Sequence, residues 1–186
     1  MDIFEAIQTR QSIGRVKPDP VPRELIERML TAAVQAPNHY KVRPWRFVVL
    51  TGSARERLGE VMAQSLRKRD PNANEEALAR ERAKPLRAPV VIAVGVAKPN
   101  SPKVIESENV CATAAAVQNM LLAAHGLGLA AKWRTVPHAY DPDVKVFGGF
   151  ELDQHLIAFV YIGYAESGLA SPLRPSYEDR TVWMER

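Results

Sequence analysis

The chain has 186 residues, of which 46% are hydrophobic and 25% are charged, and its formal net charge at pH 7 is +4. These values are ordinary for a soluble globular protein and predict a single domain over residues 1–186, since the chain is too short for two well-cored domains. The small positive charge favours an anionic ligand without requiring nucleic acid, and no apolar run reaches the roughly 20 residues that a membrane-spanning helix needs.

Hydrophobic periodicity predicts an α+β fold, with a mixed or antiparallel β-sheet flanked by helices. Asp2 and Asn74 stand where helix N-caps are expected, Ser53 and Glu56 have the spacing of a capping box, and Gly126 is placed to cap the end of a long helix. In chain order, the pattern predicts helices over 2–10, 23–35, 54–69, 75–84, 104–125 and 141–148, and strands over 45–51, 88–97, 129–136 and 155–165.

The fifth predicted helix is apolar on nearly every side from 110 to 124, which is typical of a central core helix or of an oligomer interface. Cys111 lies in it among Ala and Val residues, a setting that predicts a small buried side chain, and a lone cysteine fits a reducing cytoplasm. The tail from Glu166 lacks periodicity but carries Tyr177, Val182 and Trp183. We therefore expect this tail to dock on another surface, such as a partner subunit.

Several familiar motifs can be set aside. The string "GLGLAA" at 126–131 has the spacing of a dinucleotide fingerprint, but a helix precedes it and a strand follows it, which is the reverse of the required order. No phosphate-binding Walker loop is present, and the four histidines have no metal-ligand spacing. If the chain is an enzyme, its chemistry is expected to belong to a cofactor.

Four segments concentrate polar residues where packing alone does not require them. Each has an ordinary explanation when taken singly: Arg10 could cap helix carbonyls, and Trp45 and Trp133 are expected to anchor the core. The cluster in the first segment is either a solvated helix end or an anion-binding corner. The segments are "AIQTRQSIGRV" with Arg10, Ser12 and Arg15, "APNHYKVRPW" at 36–45, "KWRT" at 132–135, and "SPLRPSYED" at 171–179.

The order and spacing of these segments resemble the nitroreductase family of FMN-dependent oxidoreductases. That family opens with a helix ending in R-x-S, which is Arg10–Gln11–Ser12 here, and continues to a loop that ends in Pro-Trp before a strand. The short length and the "KWRT" strand look most like the minimal bacterial members of the YdjA type. In this chain, Asn38, Lys41 and Arg43 replace the Ser, Asn and Gln that are more common in the loop.

The resemblance implies a bound FMN, with NADPH or NADH as co-substrate. Arg10 and Arg174 match the positions that hold the phosphate, where a guanidinium can bind in bidentate fashion. The "KWRT" strand is placed beside the ring or the ribityl chain, and the loop with Asn38 and His39 would reach the flavin of the other subunit. The residues implied to bind FMN are Arg10, Gln11, Ser12, Gln35, Asn38, His39, Trp133, Arg134, Thr135 and Arg174, and none is implied as a catalytic acid or base.

The implied reaction is a ping-pong transfer of electrons from NAD(P)H through flavin N5 to electron-poor acceptors such as nitroaromatics or quinones. The implied assembly is an intertwined homodimer with FMN at the interface, with the long helix in the dimer core, and no nucleic-acid or membrane partner. A basic rim either favours the phosphates of NADPH or is solvated surface charge; it comprises Arg15, Lys41, Arg43 and Arg46. Two alternatives remain open: a flavin-binding relative that performs dehalogenation or flavin fragmentation, and a basic protein that contacts nucleic acid through residues 66–84.

Overall fold

The computed structural model describes residues 1–166 and 174–185 and has the predicted α+β architecture. Its sheet has the strand order β1-β2-β4-β3, and every neighbouring pair is antiparallel. The helices are α1 (Ile3–Thr9), α2 (Arg23–Ala33), α3 (Ser53–Arg69), α4 (Glu75–Ala83), α5 (Glu106–Gly126) and α6 (Pro142–Phe147), and the strands are β1 (Trp45–Leu50), β2 (Val90–Val96), β3 (Ala130–Arg134) and β4 (His155–Gly163).

Both faces of the sheet are covered, which explains why β2 is buried along its whole length. One core cluster lies on the α2 and α5 side and includes Trp45, Ala131 and Val160; the other lies on the α3 and α6 side and includes Leu58 and Phe159. The burial of Trp45 confirms its prediction as a core anchor. Because side chains alternate along a strand, neighbouring residues of β3 face opposite clusters. The β3 residues of the candidate site are therefore divided between the two faces of the sheet.

The predicted helix caps are partly confirmed. The Asp2 carboxylate accepts a hydrogen bond from the Glu5 N–H at 2.8 Å, and the Asn74 side chain accepts one from the Ala77 N–H at 2.9 Å. The capping box at Ser53 is wrong, since Ser53 is the first helical residue and Gly52, with φ of +50°, precedes it without a side-chain cap.

The end of α5 also differs from the prediction. Gly126 is the last helical residue, Leu127 is the cap, and Gly128 takes the positive φ of +75° that lets the chain turn into β3. The chain thus uses the second glycine of "GLGL" for the left-handed turn, because glycine has no Cβ to oppose that conformation.

Helix α5 is central but not fully buried within one chain. Its buried side includes Ala116, Val117 and Met120, whereas Cys111 is exposed, which makes the prediction of a buried cysteine wrong. Spacing along the helix explains the difference: Cys111 belongs to a stripe that recurs every three or four residues and turns away from the sheet. We call this set the α5 stripe; its members are Cys111, Ala115, Gln118 and Leu122, which are exposed or half-buried.

None of the helices in residues 1–166 and 174–185 is both long enough and apolar enough to cross a membrane.

Candidate functional site

The segment after α1 runs beside the edge strand β3. The Ile13 N–H donates to the Ala131 carbonyl at 3.1 Å, and the Lys17 N–H donates to the Tyr164 carbonyl at 2.8 Å. Val16 forms an antiparallel bridge with Ala165. These backbone bonds place Arg10 to Gly14 along the outer edge of β3, so the first and third sequence segments lie next to each other.

Gly14 brings two cations of β3 close to this segment. A Cβ built on Gly14 would lie 3.3 Å from Lys132 Cδ, 3.4 Å from Lys132 Nζ and 3.7 Å from Arg134 Nη2. Lys132 and Arg134 are two residues apart on a strand and therefore share one face, opposite to that of Trp133. No carboxylate in the described residues forms an ion pair with either side chain.

Arg134 is held in a defined position by an aromatic ring. Its guanidinium carbon lies 5.3 Å from the centroid of Tyr161, close enough for a cation–π contact. The Arg134 Nε atom is buried without a hydrogen-bond partner in the described part of the chain. Burial raises the pKa of the Tyr161 hydroxyl, so the ring remains neutral beneath the cation. A buried donor with no acceptor is costly, and a bound anionic or polar group would satisfy it.

Arg10 and Arg174 form a second pair of cations at the end of α1. The Arg174 guanidinium donates to the Gln8 carbonyl at 3.2 Å and to the Arg10 carbonyl, where it complements the negative end of the helix dipole. Partial burial, followed by the nearby charge of Arg174, lowers the pKa of Arg10. Two guanidiniums without a described carboxylate partner leave positive charge available for an anion.

The remaining predicted residues of this group have mixed roles. The Trp133 indole N–H and the Thr135 hydroxyl both donate to the Ile157 carbonyl, at 3.1 and 3.3 Å, so both are tied to β4. Ser12 is exposed and Gln11 is half-buried, both on the segment beside β3. We call this set the β3 group; it comprises Arg10, Gln11, Ser12, Trp133, Arg134, Thr135 and Arg174.

The loop between α2 and β1 forms a separate group around Asn38. The Asn38 side chain accepts from the Arg43 N–H at 2.9 Å and donates to the Ala36 carbonyl at 3.3 Å. Three of the residues it encloses have positive φ: Tyr40 at +51°, Lys41 at +54° and Arg43 at +50°. This conformation is unfavourable for residues with a Cβ, so the two side-chain bonds of Asn38 stabilise a strained loop.

His39 projects from this loop toward the start of α5. Its Nδ1 lies 3.3 Å from the Glu108 carboxylate, and both residues line a cavity of about 410 Å³ together with Asn38 and Cys111. Gln35 lines a different cavity, which lies between α1, α2 and the second half of α5. We call Asn38 and His39 the loop group; Gln35 lies apart from them, against the part of α5 that also meets α1.

The loop group and the Arg10 corner of the β3 group lie at opposite ends of α5. His39 meets Glu108 near the first residue of the helix, whereas Thr9 Oγ1 lies 2.7 Å from His125 Nε2 near the last. Glu108 and His125 are 17 residues apart, which is about 26 Å at the α-helical rise. A single chain therefore does not bring His39 to the corner that follows Thr9.

Sequence reasoning missed Lys132 and Gly14. The signal for Lys132 was available, because strict alternation along "AAKWR" puts Lys132 and Arg134 on one face of β3. The role of Gly14 depends on a tertiary contact between distant segments, which local pattern does not reveal.

Known proteins resemble this chain in sequence and in fold. The model of the nitroreductase family matches residues 7–164. The putative NAD(P)H nitroreductase YdjA of Escherichia coli K12 is 30% identical over 164 residues, covering 88% of each chain. A nitroreductase-like protein from Bacillus cereus superposes with a TM-score of 0.86 at 24% identity, covering 100% of this chain and 97% of the other. The FMN-dependent nitroreductase NfnB from Mycobacterium smegmatis, solved with NADPH, superposes with a TM-score of 0.77 at 18% identity, covering 98% and 97%. The chain belongs to the nitroreductase family.

Proposed function

We propose that this chain is an FMN-dependent oxidoreductase that passes electrons from NAD(P)H to electron-poor acceptors such as nitroaromatics or quinones. Membership of the nitroreductase family makes it an oxidoreductase enzyme. The solved relative NfnB is FMN-dependent and was crystallised with NADPH. The observation that carries the proposal is the presence of two pairs of cations beside β3, whose chemistry suits a flavin nucleotide. One pair is Arg10 with Arg174, and the other is Lys132 with Arg134.

The residues of the β3 group fit an FMN molecule by their chemistry. Arg10 and Arg174 would hold the phosphate, because two guanidiniums without a carboxylate partner form strong charge-assisted bonds to a dianion. Ser12, exposed on the same segment, adds a hydroxyl for the phosphate or the ribityl chain. Arg134 offers a buried Nε that has no acceptor in the described chain.

When bound, the flavin supplies the hydride chemistry, so the chain needs no acid or base of its own. Its residues hold the ring in place and provide positive charge beside it. Trp133 and Thr135 contribute by fixing the end of β3, since both donate to the same β4 carbonyl.

We infer that the enzyme is a homodimer and that each flavin contacts both subunits. The roughly 26 Å between the two ends of α5 separates the loop group from the Arg10 corner of the β3 group within one chain. If two α5 helices pack antiparallel across a two-fold axis, the Glu108 end of one lies beside the His125 end of the other. His39 would then reach the flavin held at the Arg10 corner of the partner.

Exposed apolar surface supports this assembly. The α5 stripe consists of small or apolar residues apart from Gln118, and its members are exposed or only half-buried within the chain. The tail also leaves Val182 at 86% and Trp183 at 77% of full exposure, values that favour docking on a second subunit. The predicted embrace by the tail extends into residues 167–173 and 186, which lie outside the described residues.

The alternative of a basic binding protein finds little support in residues 66–84. Its cations are occupied by carboxylates: Arg67 lies 3.5 Å from Glu75, and Arg80 lies 2.8 Å from Glu76. A stretch whose charges are internally paired offers little to the phosphates of nucleic acid.

The sharpest test uses mixed dimers of two defective chains. Homodimers of Arg10→Ala should lose the phosphate contact in both sites, and homodimers of His39→Ala should lose the loop contact in both. A mixed dimer of the two chains, purified with two different tags, has one intact site and one doubly defective site. We expect it to retain close to one FMN per dimer, measured from the yellow flavin absorbance after gel filtration.

Two results would contradict the proposal. Wild-type protein that stays colourless after incubation with FMN would refute the proposal that the chain is a flavin enzyme. Mixed dimers that retain no more FMN than either homodimer would show that the two groups do not form one site across subunits. Anaerobic addition of NADPH to the yellow wild-type protein should then bleach the flavin, which checks the redox step separately.

A further inference from the structure

We propose that Lys132 is the cationic contact for the pyrimidine side of the flavin ring and that it raises the reduction potential of the bound flavin. This inference rests on the proposed function. Lys132 is not among the residues that the sequence implies to bind FMN. The effect proposed for it is on the reduction potential of the ring and not on phosphate binding.

The first argument is that the cationic ends of Lys132 and Arg134 converge beside Gly14. The Lys132 ammonium and the Arg134 guanidinium both lie within 4 Å of one point, the position of an absent Cβ at Gly14. Like charges repel at this range, and neither forms an ion pair with a described carboxylate. Both residues are half-buried, so water screens them only in part. Such a pair is stabilised when a negative group lies against it.

The absent side chain at Gly14 is the second argument. A Cβ there would be closer to Lys132 Cδ than most real contacts, so the lysine would have to move. Glycine thus leaves Lys132 in its place over the backbone and keeps the approach to the ammonium open. The backbone at Gly14 has negative φ, so left-handed geometry does not explain the glycine.

The position along the segment favours the ring over the phosphate. The phosphate cations Arg10 and Arg174 lie at the end of α1, four residues before Gly14. Four extended residues span at most about 14 Å, and the ribityl chain of FMN likewise separates its phosphate from its ring. With the phosphate at Arg10, the ring end of the molecule therefore falls beside Lys132 and Arg134.

The charge balance gives Lys132 its effect on the potential. A hydride from the nicotinamide brings two electrons and one proton to N5, and the nicotinamide leaves in its oxidised form. The ring thereby gains one unit of negative charge, which is shared by N1 and O2. Lys132 interacts more strongly with this charged ring than with the neutral oxidised one, so it favours the reduced state.

The experiment compares Lys132→Met with Lys132→Arg and with Lys103→Met, an exposed lysine on the turn before α5 that serves as a matched control. Midpoint potentials are measured by dye equilibration, and dissociation constants are measured for oxidised FMN and for riboflavin, which lacks the phosphate. We expect Lys132→Met to lose about tenfold in its preference for reduced flavin, which is about 30 mV for a two-electron couple. Lys132→Arg and Lys103→Met should stay near the wild-type potential.

The outcomes separate three cases. A wild-type potential in Lys132→Met overturns the inference while leaving the proposed function in place. Weaker binding of FMN with unchanged binding of riboflavin also overturns it, because that pattern marks a phosphate contact. Wild-type protein that binds neither flavin refutes the proposed function itself. Where the methionine variant folds poorly, Lys132→Gln removes the charge with a polar side chain in its place: a fall in potential of about 30 mV supports the inference, and a wild-type potential overturns it.

Discussion

The strained loop beside His39 gives the most informative test of how the fold prepares the site. Three residues with a Cβ have positive φ within the loop: Tyr40, Lys41 and Arg43. Each costs about 1–2 kcal/mol relative to an ordinary conformation, so the loop as a whole carries about 3–6 kcal/mol of unfavourable energy. The Asn38 side chain opposes this with its two hydrogen bonds, to the Arg43 N–H and to the Ala36 carbonyl.

Replacing Asn38 with Ala removes both bonds, and at about 1 kcal/mol each the ordered loop loses about 2 kcal/mol. Every 1.4 kcal/mol is a factor of about ten, so the ratio of ordered to disordered loop falls about 30-fold. Because apparent affinity scales with the population of the competent state, FMN affinity should fall by up to the same factor. Asn38→Asp keeps the acceptor for the Arg43 N–H but loses the donor. Its FMN affinity should therefore lie between those of the wild type and Asn38→Ala.

Hydrogen exchange at the Arg43 amide and fluorescence titration with FMN measure the two consequences independently. Asn100→Ala serves as a control, since Asn100 is exposed on a turn and its side chain makes no hydrogen bond with the described residues. Unchanged exchange at Arg43 together with unchanged FMN affinity in Asn38→Ala would refute the reasoning. Faster exchange without loss of affinity would show that the loop is held by Asn38 but does not contact the flavin.

Two further predictions concern stability. Gly59→Ala should destabilise the protein by about 1–3 kcal/mol despite the better helix propensity of alanine, because its Cβ would lie 2.3 Å from the Arg82 carbonyl of α4. A Cβ at Gly126 would meet nothing within 4 Å, so Gly126→Ala should be neutral or stabilising. Urea denaturation measures both variants. His138 is buried, its Nε2 lies 2.6 Å from the Glu81 carboxylate, and burial lowers its pKa below 6.5 despite that partner. Folding thus favours the neutral form, so its contribution is complete above pH 6.5 and is lost as pH falls below that value, and His138→Gln should flatten the decline in unfolding free energy below pH 6.5. A decline of the same size in His138→Gln would assign it to other groups.

Elements with strong periodicity could be predicted from the sequence. Every α-helix and strand of the described chain falls within about two residues of its predicted bounds, because burial of β2 on both faces and of one side of α2 leaves a clear pattern, whereas the short 3-10 helices were not predicted. The errors lie at positions that depend on the angle of a residue around its helix axis or on the sign of a backbone φ angle. Ser53 fits a capping box by spacing alone, but the positive φ of Gly52 sets the first turn. Cys111 has apolar neighbours in sequence, but its angle on α5 turns it outward.

The candidate site was predictable as a set of residues and not as an arrangement. The four polar segments identify the β3 and loop groups, whereas the roughly 26 Å between the Arg10 corner and His39 follows only once both are seen docked against the two ends of α5. The same holds for Lys132, whose ammonium gains a role because Gly14, more than a hundred residues away in sequence, leaves room for it.

This arrangement links flavin binding to assembly. Each chain holds the phosphate cations at one end of α5 and the strained loop at the other, so neither half of the site is complete in a monomer. A ligand that binds only the dimer stabilises the dimer by mass action, and the dimer in turn fixes the ligand. In the proposed homodimer, the exposed α5 stripe and the exposed apolar tail have one common explanation, since both surfaces would be covered in the same step that completes the flavin site. The distance along a single helix, fixed at 1.5 Å per residue, is therefore the structural reason that cofactor binding and subunit pairing are expected to rise and fall together.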